Sequence, residues 1–344
     1  MAEKQFQAMQ RVRIKDVARE AGVALSTAAL ALRDDSRLRD ETRRAVRDAA
    51  ARLGYVYDRS AAMMRSGRSH TIGLLVCEIT NPFYAELTAG VEEALDEAGY
   101  VTLLANTSES AIRQRRMLER FREQSVDGVL IMPATGTSPS LIDELEAWQL
   151  PHATVVRGFR KGAHAGPDNR TGMRLATEHL LRLGHRRIAF LGGAAKNSVS
   201  TGRWEGYART MAKAGLSTEH FPCQTDIGEA AMLVQDLPRS GPTALVCFND
   251  SVAFGATLGL LRRGLTPGRD IALTGFDDIQ ESAVWFPPLT TVRVSPRGTG
   301  QVAANILLER INNPQTPPRR VMLEPTLMIR ESCGAHLRAE VRTA

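Results

Sequence analysis

Apolar positions in the first fifth of the chain recur at helical spacing. Ile14, Val17 and Ala18 fall at i, i+3 and i+4, and Gly22 follows directly after Ala21, which predicts a helix over 14–20 closed by a turn. Leu25 to Leu32 predicts a second helix, ended by the polar Arg33-Asp34-Asp35-Ser36. Asp40 to Leu53 predicts a third, stopped by Gly54. Helix, glycine turn, helix and a third packing helix form a helix-turn-helix layout.

From Thr71 the texture changes. Strand-like apolar runs at Thr71 to Val76, Val101 to Ala105, Gly128 to Met132, Ala153 to Val156, Arg187 to Leu191, Thr243 to Phe248 and Ile271 to Gly275 alternate with amphipathic stretches. The stretches are Phe83 to Ala98, Ala111 to Gln124, Thr171 to Leu183, Glu205 to Ala214 and Ser251 to Arg263. This alternation predicts an α/β body of parallel sheets flanked by helices. Two doubly wound lobes suit the number of strands better than one sheet, and a ligand then sits between them at the strand carboxyl ends.

Charge sharpens the division. The net charge of +6 lies entirely in residues 1–70, which hold 15 Lys/Arg against 9 Asp/Glu; the remainder holds 29 of each. A basic head on a neutral body fits one small domain that meets a polyanion and a second domain with another task. No apolar stretch approaches the ~20 residues of a membrane span, and Met1 to Arg13 lacks a secretory apolar run, so a cytoplasmic protein is expected. Cys77, Cys223, Cys247 and Cys333 are scattered without metal-ligand or redox spacing and read as buried thiols. The seven histidines show no metal or nucleophile pattern. Gly192-Gly193 lacks the full phosphate-binding fingerprint, and no strand-to-helix serine elbow is present. No metal, cofactor or catalytic residue is expected.

Longer motifs then carry a resemblance. Arg13-Ile14-Lys15-Asp16-Val17-Ala18 with Ser26-Thr27, Asn81-Pro82-Phe83, Val126-Asp127-Gly128, Asp168-Asn169-Arg170, Leu183-Gly184-His185-Arg186-Arg187-Ile188, Gly275-Phe276-Asp277-Asp278 and Arg330-Glu331-Ser332 occur in order. Together they resemble the lactose-repressor (LacI/GalR) family over about residues 12–334. The resemblance implies a helix-turn-helix domain over 1–57, a hinge helix and linker over 58–70, and a two-lobed effector-binding and dimerisation domain over 71–334, like a periplasmic binding protein. Its N-lobe takes about 71–169 and 294–322, and its C-lobe about 170–293 and 323–334. A tail over 335–344 lacks the leucine heptads of tetramer-forming relatives, which implies a homodimer.

By the same resemblance Leu25, Ser26 and Leu30 read base edges in the major groove, while Thr27, Thr42 and Arg43 hold phosphates. Leu30 stands where relatives often carry Arg or His, and it offers only apolar contact, as with a thymine methyl. Ala24, Ala29 and Arg39 replace usual serines, and the loss at Ala24 removes a helix cap. Either the operator has an unusual sequence or base reading is degraded. Met64, within Asp58 to Met64, matches the hinge residue that wedges into the minor groove at the centre of a pseudo-palindromic operator. In the effector cleft, Phe83 and Tyr84 match an apolar wall, Arg203 an arginine that donates to effector oxygens, and Asn249 and Asp277 an amide and carboxylate that fix vicinal hydroxyls. Val156 replaces a common Asp, and Val294 and Pro296 replace more polar or aromatic residues near the cleft. The implied function is a repressor of double-stranded DNA controlled by a small molecule, a sugar or sugar derivative. A purine-like corepressor, or a ligand-binding protein with weak DNA specificity, are the alternatives.

Overall fold

A computed structural model describes residues 12–32, 36–56, 67–238 and 240–337. The chain divides into two compact units, Met1–Ser69 and His70–Ala344. In the first, α1 (Ile14–Glu20), α2 (Leu25–Ala31) and α3 (Asp40–Leu53) bury Val17, Ala28, Ala31, Val46 and Ala49 against one another. The Asp16 carboxylate accepts the Arg13 N–H at 3.0 Å, which satisfies one of the amides left open at the start of α1. Gly22 (φ 65°) and Gly54 (φ 64°) adopt the left-handed conformation that ends α1 and α3.

The second unit contains two six-stranded sheets. The first is built from β1 (Thr71–Val76), β2 (Val101–Asn106), β3 (Gly128–Ile131), β4 (His152–Val155), β5 (His164–Pro167) and β11 (Arg320–Leu323), in the order β11-β5-β4-β3-β1-β2. The second uses β6 (Ile188–Leu191), β7 (Glu219–Phe221), β8 (Ala244–Cys247), β9 (Ala272–Asp277), β10 (Thr291–Arg293) and β12 (Thr326–Met328), in the order β12-β10-β9-β8-β6-β7. Each sheet therefore winds outward in both directions from its first strand. The crevice at each switch point, between β1 and β3 and between β6 and β8, lies at the strand carboxyl ends. All pairings are parallel except that of β12 with β10, so the second sheet departs from the all-parallel expectation.

Between the strands lie α4 (Pro82–Glu97), α5 (Ala111–Glu123), α6 (Leu141–Ala147), α7 (Asn169–Arg182), α8 (Ser198–Lys213), α9 (Ile227–Gln235), α10 (Asp250–Arg262), α11 (Glu281–Val284) and α12 (Pro296–Asn312). The strands are nearly continuous apolar runs because helices cover both faces, and β1, β3, β4, β6, β8 and β9 are almost wholly buried. The α4–α12 contact is unusually close. A Cβ at Gly90 would lie 2.0 Å from the Arg297 carbonyl oxygen, and one at Gly300 would lie 2.3 Å from that of Leu87, so only glycine fits at either crossing point. The chain passes between the sheets after β5, β10 and β11, and the C-terminal segment supplies one strand to each.

Several elements differ from the sequence reading. The expected helix at Glu205 begins at Ser198, and β5, β7, β10, β11, β12, α6, α9, α11 and α12 were not anticipated. Cys333, at the end of the expected C-lobe, is buried, with Sγ 3.2 Å from His179 Nε2. All four cysteines are buried, and none forms a disulfide. No helix among the described residues is long and apolar enough to cross a membrane.

Candidate nucleic-acid interface and effector cleft

In the first unit the opening of α2 is presented to solvent. Leu25 is 52% exposed and Ser26 is exposed, while Ala28 and Ala31 form the buried face, so the amphipathic pattern directs the expected base readers outward. Thr27 and Leu30 lie at the half-buried margin. No side chain caps α2: its N-cap is Ala24, and Arg39 likewise starts α3 without a side-chain cap. Thr42 and Arg43 occupy the first turn of α3, where Arg43 pairs with Asp40 and holds that carboxyl below its usual range. The backbone amides at these two helix starts are suited to phosphate oxygens. Met64 and the expected hinge over Asp58 to Met64 lie outside the described residues.

The second unit carries a cleft at the carboxyl ends of its switch-point strands. An inner cavity of about 40 Å³ is lined by Phe83, Tyr84, Arg203, Asn249 and Asp277, the five residues expected there, together with Val156 and Phe248. It shares Glu78, Arg157, Thr225 and Phe248 with an outer cavity of about 670 Å³. Liquid water occupies about 30 Å³ per molecule, so the inner space holds roughly one water while the outer one has ligand dimensions.

Arg203 fixes the inner site. It is 4% exposed, its Nε donates to Asn169 Oδ1 at 2.9 Å, Nη1 to the Phe248 carbonyl at 2.5 Å and Nη2 to Asp277 Oδ1 at 3.0 Å. The guanidinium also lies 3.7 Å from the Phe276 ring centroid and 4.7 Å from that of Phe248. Burial lowers the Arg203 pKa and raises that of Asp277, and their mutual attraction opposes both changes. Asn249 spends its Oδ1 on the Val252 N–H at 3.0 Å, capping α10, and so leaves its amide nitrogen for the cleft. Asn81 caps α4 through the Phe83 N–H at 3.0 Å, and the Phe83 and Tyr84 rings meet edge to face at 5.3 Å. Burial pushes the Tyr84 hydroxyl up, which keeps it a neutral donor.

A second charged group frames the outer cavity. Arg157 meets Glu109 through Nη1 at 2.9 Å and Nη2 at 2.7 Å, a two-point pair joining the loops that follow β4 and β2. Burial pushes the Glu109 carboxyl up, but the hydrogen bond and charge of Arg157 outweigh it and hold it below the usual range. Glu78 is raised by burial and by the charge of Glu109. Strained backbone gathers here as well. Val156 (φ 61°), Asp277 (φ 115°) and Asp278 (φ 55°) all follow or end cleft strands, and positive φ is costly for a β-branched residue such as Val156. Asp278 is held behind the cleft by Arg293 at 2.6 Å and Arg330 at 2.7 Å.

Glu78, Glu109, Asn169, Thr225 and Phe248 were not singled out from sequence as cleft residues. Asn169 lies within the Asp168-Asn169-Arg170 motif and Phe248 directly precedes Asn249, whereas Glu109 sits in the Ser108-Glu109-Ser110 loop, which carries no spacing signal. Val294 and Pro296 do not line either cleft cavity; Val294 is buried, and Pro296 opens α12. Among the described residues no His, Cys, Asp and Glu form a cluster suited to a metal.

Comparison with known proteins places this architecture. Residues 13–58 match the description "Bacterial regulatory proteins, lacI family", and residues 69–331 match "Periplasmic binding proteins and sugar binding domain of LacI family". The maltose regulon regulatory protein MalI of Escherichia coli is 33% identical over 92% of this chain and 98% of its own. The ribose operon repressor of Haemophilus influenzae is 33% identical over 93% and 98%. The solved structure of the regulator CelR with cellobiose superposes with a TM-score of 0.70 at 28% identity, covering 94% of this chain and all of that one. A Lac repressor dimer bound to operator and an anti-inducer shares the fold, with a TM-score of 0.86 at 24% identity over 95% of this chain and 100% of that one. These relatives are regulators rather than enzymes. With a helix-turn-helix head matched over residues 13–58 and a two-lobed body matched over residues 69–331, this chain belongs to the LacI family of DNA-binding transcriptional regulators.

Proposed function

We propose that the protein is a repressor that binds a pseudo-palindromic operator as a homodimer and responds to a small molecule, a sugar or sugar derivative, in the cleft of residues 71–334. The observation that carries this reading is the cleft itself. Residues from the carboxyl ends of both sheets meet around Arg203, with hydroxyl, amide and carboxylate groups beside the Phe83–Tyr84 wall. Such a mixture of aromatic faces and oriented polar groups suits a polyhydroxylated ring. In this reading Leu25, Ser26 and Leu30 read bases, Thr27, Thr42 and Arg43 hold phosphates, and Met64 enters the minor groove. The domain limits follow the sequence expectation: a head over 1–57, a hinge over 58–70 and a tail from 335.

Exposed apolar groups support self-association. Val101, Leu103 and Leu104 lie exposed on β2, the edge strand of the first sheet, and Val284 and Phe286 are exposed beside α11 in the second. Effector binding changes the arrangement of the two sheets and thereby the separation of the paired hinges, with a coupling of about 1–3 kcal/mol, or 5- to 150-fold in operator affinity.

Selection of binding sites from a random duplex library with the full-length protein at moderate salt is the test. Enrichment of a palindrome with a kinkable centre supports the reading and yields the duplex for screening sugars. Salt-sensitive binding to every duplex without enrichment removes it. A purine-like corepressor is the second reading, favoured by the aromatic cleft wall and by relatives named PurR at 32% identity. It is separated by sign, because a corepressor tightens operator binding and an inducer weakens it.

A further inference from the structure

A separate cavity of about 470 Å³ lies at the other end of the first sheet, where β4 begins. The cleft follows the carboxyl end of β4, at Val156 and Arg157. The new cavity sits at His152, four residues earlier and thus about 13 Å away at the rise of an extended strand. Leu150, Pro151 and Pro314 supply apolar walls, and Arg310, at the end of α12, and Glu146, on α6, supply charge.

The charges are unevenly satisfied. Glu146 accepts from Lys161 Nζ at 3.0 Å, and Lys161 also donates to Asp143 at 2.6 Å. Arg310 has no such counter-ion among the described residues. Its Nε is buried without an acceptor, and its Nη1 reaches only the Thr316 carbonyl, at 3.5 Å. The Nε has no access to solvent, so an occupant of the cavity meets the guanidinium through its terminal nitrogens, of which Nη1 is held by that one long contact. Beside it His152 is 2% exposed and places Nδ1 2.9 Å from the Leu150 carbonyl, so that nitrogen is the donor and Nε2 is left as an acceptor. Burial, followed by the charge of Arg310, lowers the His152 pKa and keeps the ring neutral, so the ionic groups on the cavity's lining are Arg310 and Glu146, the latter sharing Lys161 with Asp143.

We propose that this cavity is a second ligand site, distinct from the cleft, that binds a small organic carboxylate with its charge on Arg310 and its apolar body against Leu150, Pro151 and Pro314. One guanidinium matches a carboxylate, whereas a phosphate dianion calls for more positive charge than Arg310 supplies beside Glu146. The site lies at the end of the sheet where β1 also starts, two strands from β4, so an occupant borders the point where the chain enters the body at His70.

Benzoate is the probe, titrated into the full-length protein and followed by ligand-observed NMR. Saturable binding is expected, weakened on the order of tenfold or more by Arg310→Met, which keeps the apolar stem but removes the donors. Benzamide, the neutral isostere, is expected to bind as weakly as benzoate binds that variant. Glu146→Trp, at an exposed helix position beside the cavity mouth, gives a second handle and is expected to block benzoate without altering the circular dichroism. The proposal is overturned if benzoate does not saturate, if benzamide or inorganic phosphate binds equally well, or if both variants bind benzoate as the parent does.

Discussion

Replacing Arg203 by methionine isolates the energetics of the cleft. Methionine retains an apolar stem between Phe248 and Phe276 but removes the charge, leaving Asp277, 7% exposed, without its only ion-pair partner among the described residues. Breaking a buried pair from one side costs about 3–5 kcal/mol, because the surviving charge keeps its desolvation penalty. The Asn169 and Phe248 acceptors also lose their donor, although room for about one water beside them limits that part. The expected loss is therefore about 3–5 kcal/mol, a large fraction of the ~5–15 kcal/mol that holds a typical domain. The three tryptophans, Trp148, Trp204 and Trp285, all lie in the second unit, so urea unfolding followed by their fluorescence reports that unit alone. Adding Asp277→Asn is expected to recover about half of the loss, since a neutral amide needs no counter-ion. The loss also shrinks as pH falls: without Arg203 the Asp277 pKa rises further above its unfolded value, so protonation favours the folded variant. A loss below about 1 kcal/mol, or a double variant no more stable than the single one, refutes the reasoning.

Three other outcomes are expected. Ala24→Ser supplies the missing cap of α2 and stabilises it by about 0.5–2 kcal/mol, which hydrogen exchange registers as slower exchange of the amides of 26–31. Asp250 is buried, accepts from Ser282 Oγ at 2.7 Å and the Ile279 N–H at 3.0 Å, and is pushed up to about 7 by burial and then by Asp277. With a folded pKa above the unfolded value, its contribution is full below about pH 4 and is lost as pH rises towards 7; Asp250→Asn is expected to remove that slope from a urea-midpoint series. Gly90→Ala places a methyl group 2.0 Å from the Arg297 carbonyl oxygen and is expected to destabilise the second unit by about 1–3 kcal/mol, read as a lower urea midpoint.

The helices of the head and the central strands were legible because their periods are clean: α1 and α3 have glycine stops, and β1, β3 and β8 are unbroken apolar runs. The 17-residue α12 was not legible. It opens Pro296-Arg297-Gly298-Thr299-Gly300, and its packing face uses Gly300, Ala303 and Ala304 for close approach, so the contact that buries it carries little hydrophobic signal. Strands β7, β10 and β12 have three residues each, too few to show alternation, and β5 reads His-Ala-Gly-Pro. In the cleft, motif positions located Arg203 and Asp277 individually, but their pairing spans 74 residues of sequence, and the Arg157–Glu109 pair spans 48. Such partnerships are products of the strand order, which no local pattern records.

The return of the C-terminal segment to both sheets has a consequence during synthesis. The first sheet has emitted β1 to β5 by residue 167, yet its edge strand ends at Leu323 and the helix that covers α4 ends at Asn312. At about 5–20 residues per second, the ribosome needs roughly 8–30 s to deliver the rest. Throughout that interval the α4 face around Leu87, Gly90 and Val91 awaits α12, and β5 lacks its neighbour β11. The nascent chain therefore holds a half-finished sheet with an open edge and an uncovered apolar helix, a form that chaperones bind and that pairs with copies of itself. Truncation before Pro296 would leave the chain permanently in that state, and truncation between 313 and 320 would leave α4 covered but β5 without β11.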